Sequence, residues 1–320
     1  MKNGLSVNRL AWKLLEKLCE KADFYEVKVE RTASGTTVVD AGINAKGGFE
    51  AGKIITEICM GGCGKARITN RKYGELELPA IFVYTDHPTI STLGSQFAGW
   101  QIKEEDYFAI GSGPARALAL KPKEIYEQIG YRDDFEKAVV VLETDKRPPE
   151  KLIDRLAKDC NVKKENLAII LTPTASLAGS TQVSGRMVET GIHKLNKLGL
   201  NPKTILYAWG CAPISPIHPK FAQAMARTND AILYGGTTYY MVDYENEEEL
   251  KRILENAPSK ASKDYGRPFM EIFKKAEYNF YKIDPNLFAP AVVIVNNVRS
   301  GRTFKVGEIN SEILLKSLGF

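Results

Sequence analysis

Hydrophobic positions near the start of the chain fall on helical spacing. Val7, Leu10, Ala11, Leu14, Leu15, Leu18 and Cys19 share one face, and Ser6 is placed to cap the helix. Lys13, Glu16, Lys17 and Glu20 interrupt the apolar run, so the segment is an amphipathic helix and not a signal peptide. VKVERTASGTTVVD, from Val27, predicts a hairpin turning at Ser34-Gly35. GGFEAGKIITEICMGG, from Gly47, reads as a helix ending in glycines, and strands are expected near residues 66–69 and 81–84. In the middle of the chain, residues 138–142 (AVVVL) and 167–171 (LAIIL) are short apolar runs of the kind found in strands buried on both faces. Between them, Pro148-Pro149 gives way to Leu152, Ile153, Leu156, Ala157 and Cys160 at helical spacing. Strand, helix and strand in this order predict a βαβ unit with parallel pairing and a right-handed crossover. Further strands are expected at 204–208, 237–242 and 292–295. The pattern is that of an α/β protein with mixed α+β elements.

A weak internal repeat accompanies this pattern. VKVERTASGTT from Val27 and VIVNNVRSGRT from Val293 share valines at first and third place, Ser-Gly at the turn and a following Thr. Val39 has a near counterpart in Val306. Common turn chemistry can produce this by chance, and a duplication can as well. With no low-complexity linker, any two domains are closely packed or interleaved.

Composition narrows the function. Hydrophobic content of 44% and charged content of 26% describe an ordinary soluble globular protein. The net charge of +5 comes from 44 basic residues interleaved with 39 acidic ones. No basic block exists to grip nucleic acid, whereas a small anionic ligand fits. No apolar run is long enough to cross a membrane. The five cysteines are odd in number and scattered, which fits a reducing cytoplasm rather than a disulfide scaffold. Cys59 and Cys63 lack a second Cys/His pair, and the three histidines share no ligand spacing, so no metal site is expected.

The richest stretch is STQVSGRMVETGIHK, from Ser180. Read as one long helix, it gathers Val183, Met187, Val188, Ile192, Leu195 and Leu198 on one face and Gln182, Arg186, Glu189 and His193 on the other. Arg186 and Glu189, three residues apart, are helix neighbours. A carboxylate beside a guanidinium is an acid/base unit, because nearby charge sets when the acid releases its proton. The spacing fits at least as well a solvated face with a weak surface pair.

Other segments offer candidate contacts. In YFAIGSGPARALAL, Gly111-Ser112-Gly113 precede Pro114 at a helix start, with Arg116 close by. That arrangement suits an anion, and equally a plain tight turn. Arg116 stands where a dinucleotide fingerprint needs its third glycine, so no such fingerprint is present. TDHPTIST follows a strand, and His87 and Ser91 can line a cleft there, although no GxSxG elbow surrounds Ser91. PTASLAGS, from Pro173, suits close approach of a ligand to backbone. Gly235-Gly236 suggest a bulge or close backbone approach beside Thr237. Gln182 and Thr237 join the candidate substrate contacts.

GTTVVDAG, GGFEAG, ICMGG, TDHPTIST, DYFAIGSGPARALALKPKE, PTAS, VETGIHKL, RTNDAILYGG, DYGRPFM and FYKIDPNLFAPA occur in this order from Gly35 to Ala291. Together they resemble the methenyltetrahydromethanopterin cyclohydrolase family, almost end to end. The resemblance implies reversible hydrolysis of the methenyl bridge between N5 and N10 of a reduced pterin, giving the N5-formyl compound. It places the chain in one-carbon metabolism on tetrahydromethanopterin, including methanogenesis. It further implies a cytoplasmic homotrimer, two closely packed α/β domains with a cleft between them, and neither metal nor redox cofactor. The division expected is 1–90 with 285–320 for the first domain and 91–284 for the second. The family's Arg-x-x-Glu pair falls on Arg186 and Glu189. The segment Trp209-Gly210-Cys211 departs from the family's pattern, and Cys211 is assigned no role.

The implied chemistry agrees with the residues. The methenyl carbon lies in an amidinium-like cation and is already electrophilic, so no zinc is needed to polarise it. One carboxyl, Glu189, can take a proton from the attacking water and supply one to departing N10. Arg186 would keep Glu189 ionised, orient it and bind the water or developing oxygen. The coenzyme's phosphate-bearing tail would give Gly111–Gly113 and Arg116 a ligand. Two other readings stay open. A pterin-dependent hydride-transfer enzyme would need a dinucleotide site the chain lacks. A pterin-binding protein without catalysis would not need Arg186 with Glu189.

Overall fold

The computed structural model describes residues 4–320. Two compact units emerge. The first is the chain up to Lys65 with Ile90–Gln182, and the second is Ala66–Thr89 with Val183–Phe320.

The first unit is built on a six-stranded sheet of β1 (Lys28–Arg31), β2 (Thr37–Asp40), β5 (Trp100–Glu104), β6 (Tyr107–Ser112), β7 (Ala138–Glu143) and β8 (Leu167–Leu171), ordered β1-β2-β8-β7-β6-β5. The two apolar runs are its central strands. β8 pairs in parallel with both β2 and β7, while β1, β5 and β6 pair antiparallel. Side chains alternate between the faces. Val139, Val141, Ala168 and Ile170 pack with helices Val7–Glu20 and Phe49–Cys59. Val140, Leu142, Ile169 and Leu171 pack with helix Glu150–Asp159 through Leu152, Ile153 and Leu156. This is a three-layer sandwich. Its first helix starts as expected, with the Ser6 hydroxyl oxygen accepting from the Arg9 amide at 3.1 Å.

The second unit carries β3 (Gly64–Tyr73), β4 (Leu76–Thr85), β9 (Ile205–Pro213), β10 (Thr237–Val242), β11 (Val292–Asn297) and β12 (Thr303–Gly307), ordered β12-β11-β10-β9-β4-β3. Only β10 and β11 run parallel among the pairings β4-β9, β9-β10, β10-β11 and β11-β12. Helix Phe221–Gly235 packs with helices Phe269–Lys275 and Ser311–Leu318 in an aromatic-rich core that includes Tyr73, Tyr234, Phe269 and Phe273.

This partition departs from the division at 90 and 285, and strand pairing is the reason. The β3-β4 segment lies early in the chain yet joins β9, the β11-β12 hairpin joins β10, and β5 and β6 join β7. The two similar hairpins also differ. In the first, the later strand β2 is the inner one; in the second, it is the earlier strand β11. The segments therefore occupy opposite places in their sheets, and Val39 on the inner strand β2 does not correspond in position to Val306 on the edge strand β12.

One buried acid marks the second core. Asp230, on helix Phe221–Gly235, accepts from the Phe269 amide at 2.9 Å and from the Ser317 hydroxyl. Burial pushes its pKa up to about 8, against the hydrogen bonds from Ser317 and Phe269, with Glu271 raising it further. The folded chain thus holds a proton that the unfolded chain has lost above its ordinary value of 3.8. Between that value and about 8 this group makes stability fall as pH rises. Urea melts at pH 5 and pH 8 should show a smaller loss for Asp230→Asn than for the unaltered chain. Equal losses would assign the carboxyl a normal pKa.

Candidate active site

Arg186 and Glu189 lie in the second unit, but the segment around them is not one long helix. Helix Leu177–Ser184 ends, Gly185 and Arg186 intervene, and helix Met187–Lys197 begins with Arg186 at its capping position. The Ser184 hydroxyl donates to the Pro213 carbonyl at 2.8 Å and fixes the junction to the end of β9. Helical hydrogen bonding resumes at once, the Thr190 amide donating to the Arg186 carbonyl at 2.9 Å.

The apolar face packs onto β9 and β10, and two glycines allow a close approach. A Cβ on Gly210 would lie 2.8 Å from Met187 Cγ and 2.9 Å from Val188 Cγ2. A Cβ on Gly191 would lie 2.0 Å from the Tyr240 hydroxyl oxygen, which donates to the Val188 carbonyl at 3.0 Å. Sequence reasoning missed Tyr240; its partner glycine in VETGIHK was the signal that something bulky lay beneath. The Trp209 ring stacks on Tyr239 at 5.5 Å, so Trp209-Gly210-Cys211 has a packing role on both faces of β9.

The opposite face is not solvated. Arg186 is 8% exposed and Glu189 4%, and Arg186 Nη2 donates to Glu189 Oε2 at 2.9 Å. The plainer reading, a weak pair on an open surface, therefore fails. A buried pair of this kind is poor evidence of stabilisation, because desolvation offsets the attraction. His193, one turn further along, is only partly buried. Burial lowers its pKa, with Glu189 opposing and Lys197 reinforcing the shift.

Thr237 begins β10, opposite Cys211, and its hydroxyl accepts from Arg71 Nη1 at 2.9 Å. Arg71 also lies 5.6 Å from the Tyr73 ring centroid. Burial raises the Cys211 thiol and Arg71 opposes it. Nothing in the strand pattern singled out Arg71. His87, also in this unit, is exposed in the loop after β4, its amide donating to Thr85 Oγ1 at 3.0 Å.

The remaining candidates belong to the first unit. Gln182 is 2% exposed, and its amide oxygen has no hydrogen-bond partner among the described residues. Ser91 is fully buried, one residue before a single π-helical turn, Thr92–Gln96. Gly111-Ser112-Gly113 do not form an open anion cradle: the Gly113 amide donates to Ser95 O at 3.0 Å, and Ser112 is 4% exposed at the end of β6. Arg116 is corrected too. It is fully buried, Nε donates to Lys121 O at 2.7 Å, and Nη1 donates to Leu93 O and Ser95 O at 3.1 Å. The Phe97 and Tyr126 rings lie 5.2 and 5.5 Å from its guanidinium. These carbonyls and rings take the place of the expected anion, and Arg116 pins the π-helical turn.

Comparison with known proteins adds the decisive observation. A sequence model of the family described as "Cyclohydrolase (MCH)" matches residues 6–318. The chain belongs to this cyclohydrolase family. It is similar to the methenyltetrahydromethanopterin cyclohydrolases of Methanothermobacter thermautotrophicus, at 46% identity over 98% of this chain and 99% of that one, and of Methanocaldococcus jannaschii, at 46% identity over 99% of both. The cyclohydrolase of Methanosphaerula palustris is 47% identical, over 98% of this chain and 99% of its own. Membership of the cyclohydrolase family thus rests on nearly the whole length, including both sheets and the Arg186–Glu189 segment. No helix among the described residues is long and apolar enough to cross a membrane.

Proposed function

We propose that this chain catalyses the reversible hydrolysis of N5,N10-methenyl-tetrahydromethanopterin to the N5-formyl compound, with Glu189 as acid/base and Arg186 as its partner. The observation that carries the reading is the buried Arg186–Glu189 ion pair on a helix that closely approaches the β9-β10 surface. A carboxylate oriented by a guanidinium is placed to accept a proton from water. The same carboxyl can return a proton to N10 as the C–N10 bond breaks. Arg186 keeps donors beside the oxygen that develops charge.

Gln182 supports a role in binding the pterin. Leaving its buried amide oxygen unpaired costs about 1–3 kcal/mol, and the N–H donors of a pterin ring are suitable partners. His87, Ser91 and Thr237 remain proposed substrate contacts. Cytoplasmic location and assembly as a homotrimer are proposed from family membership.

The substrate's own positive charge makes its methenyl carbon electrophilic, so the reading requires no metal or redox cofactor. Near-ultraviolet absorbance of the methenyl compound should fall on addition of the protein, at the same rate before and after exhaustive chelation. An absorbance that does not change overturns the activity. Loss on chelation, restored by one metal, overturns the cofactor-free chemistry.

A further inference from the structure

Hydrolysis of the methenyl cation leaves one proton to be discharged. Water adds to the methenyl carbon through a new C–O bond, and one O–H proton passes to Glu189. The C–N10 bond then breaks, its electron pair staying on N10, which takes a proton. The second O–H proton leaves as the formyl C=O forms. Of the two protons water brings, one ends on N10 and one must reach solvent, because a cationic substrate becomes a neutral product. Glu189 is 4% exposed and cannot hand that proton directly to bulk water.

We propose that His193 is the relay that carries this proton from Glu189 to solvent. The inference rests on the cyclohydrolase reading above. Glu189, His193 and Lys197 stand at i, i+4 and i+8 on helix Met187–Lys197, so successive side chains are neighbours along one face. Their exposure rises in the same order, from buried through partly buried to exposed. The line therefore runs from the reacting centre to the surface.

The electrostatics fit a relay that loads and unloads. The charges acting on His193 are Glu189, which favours its protonated form, and Lys197, which disfavours it. Burial also disfavours the charged ring and holds the pKa below its ordinary 6.5. At neutral pH the ring is a neutral base, able to accept from the carboxylic acid. Once protonated beside Lys197 it is a ready donor to water. An imidazole suits this task because its two nitrogens can take a proton on one side and release it on the other.

The test is chemical rescue. His193→Gln and His193→Ala should lower kcat at least tenfold in dilute, poorly buffering solution at neutral pH, with KM changed less than twofold. Added imidazole should restore activity at least fivefold, following the fraction of free base as pH is varied. Glu189→Gln, which lacks the first acceptor, should gain nothing from imidazole. Unchanged kcat in both His193 variants overturns the relay, as does a loss that imidazole leaves untouched in a variant with an unaltered thermal melt. Should both variants fail to fold, the unaltered enzyme decides: a kcat at neutral pH that is insensitive to buffer concentration supports a built-in relay, and one that rises in proportion to it overturns the relay. An unaltered chain inert toward the methenyl compound overturns the reaction itself, a result distinct from all of these.

Discussion

Replacing Glu189 by Gln should lower kcat about 10²-fold or more while the protein still binds its substrate, the usual scale for positioned proton transfer. Glutamine keeps the shape of the side chain and can still accept from Arg186 Nη2, the bond now seen at 2.9 Å. What it loses is the capacity to take a proton. Arg186→Ala should also reduce kcat, because the carboxylate loses the donor that orients it. This variant will be less stable as well, since a buried carboxylate left without its partner costs about 3–5 kcal/mol. Kinetics should therefore be read well below its melting temperature. If the two residues act as a unit, the double variant should be little worse than the worse single one. Steady-state absorbance assays of the three variants decide the matter. A fully active Glu189→Gln enzyme would remove this pair from the chemistry and leave it only its place in the fold.

The second large effect concerns folding. Arg116→Ala should destabilise the chain by about 3–5 kcal/mol, the range of severe core lesions. Lys121 O and Leu93 O lose the guanidinium as a donor, and Ser95 O is left with the Gly113 amide. The space between the Phe97 and Tyr126 rings empties as well. Arg116→Met, which refills much of the volume without restoring the bonds, should recover only part of the loss. Urea denaturation measures both. In the folded fraction, the Arg116 variants should show no selective rise in KM for the full coenzyme over a tail-truncated pterin. A selective rise would reinstate the anion-binding expectation.

Arg116 shows where the sequence stopped being readable. Local pattern places a strand before GSG and a helix after it, and both are present. Nothing local states that Phe97 and Tyr126 will enclose the guanidinium, because those partners are assembled by the fold. The Arg186–Glu189 helix taught the same lesson from the other side. Its apolar stripe was legible because Met187, Val188, Ile192 and Leu195 keep helical phase and are all fully buried. The break at Gly185 was not, since the phase continues across it. Burial of the polar face was hidden as well, because hydrophobic periodicity treats every polar face as outward. Strands such as β7, β8 and β10 could be placed from their own residues, whereas the joining of β3-β4 to β9 depends on partners more than a hundred residues away. Helical spacing drew attention to Arg186 and Glu189, and the family motifs are what favoured an acid/base reading over a surface pair.

The chain passes between its two units three times, after Lys65, Thr89 and Gln182. This has a consequence for synthesis on the ribosome. By the time Gln182 has emerged, every strand of the first sheet exists and that unit can close. The β3-β4 segment has by then also been made, but β9, its partner, has not. It must wait as an unpaired ribbon with an open edge, the kind of surface on which nascent chains stick to one another. Four features temper the exposed stretch: Lys65, Arg67, Arg71 and Lys72 all lie on β3, the strand that remains at the sheet's rim in the finished molecule. Their positive charges keep neighbouring copies apart during the interval, so the composition of this strand serves the growing polypeptide as well as the mature one.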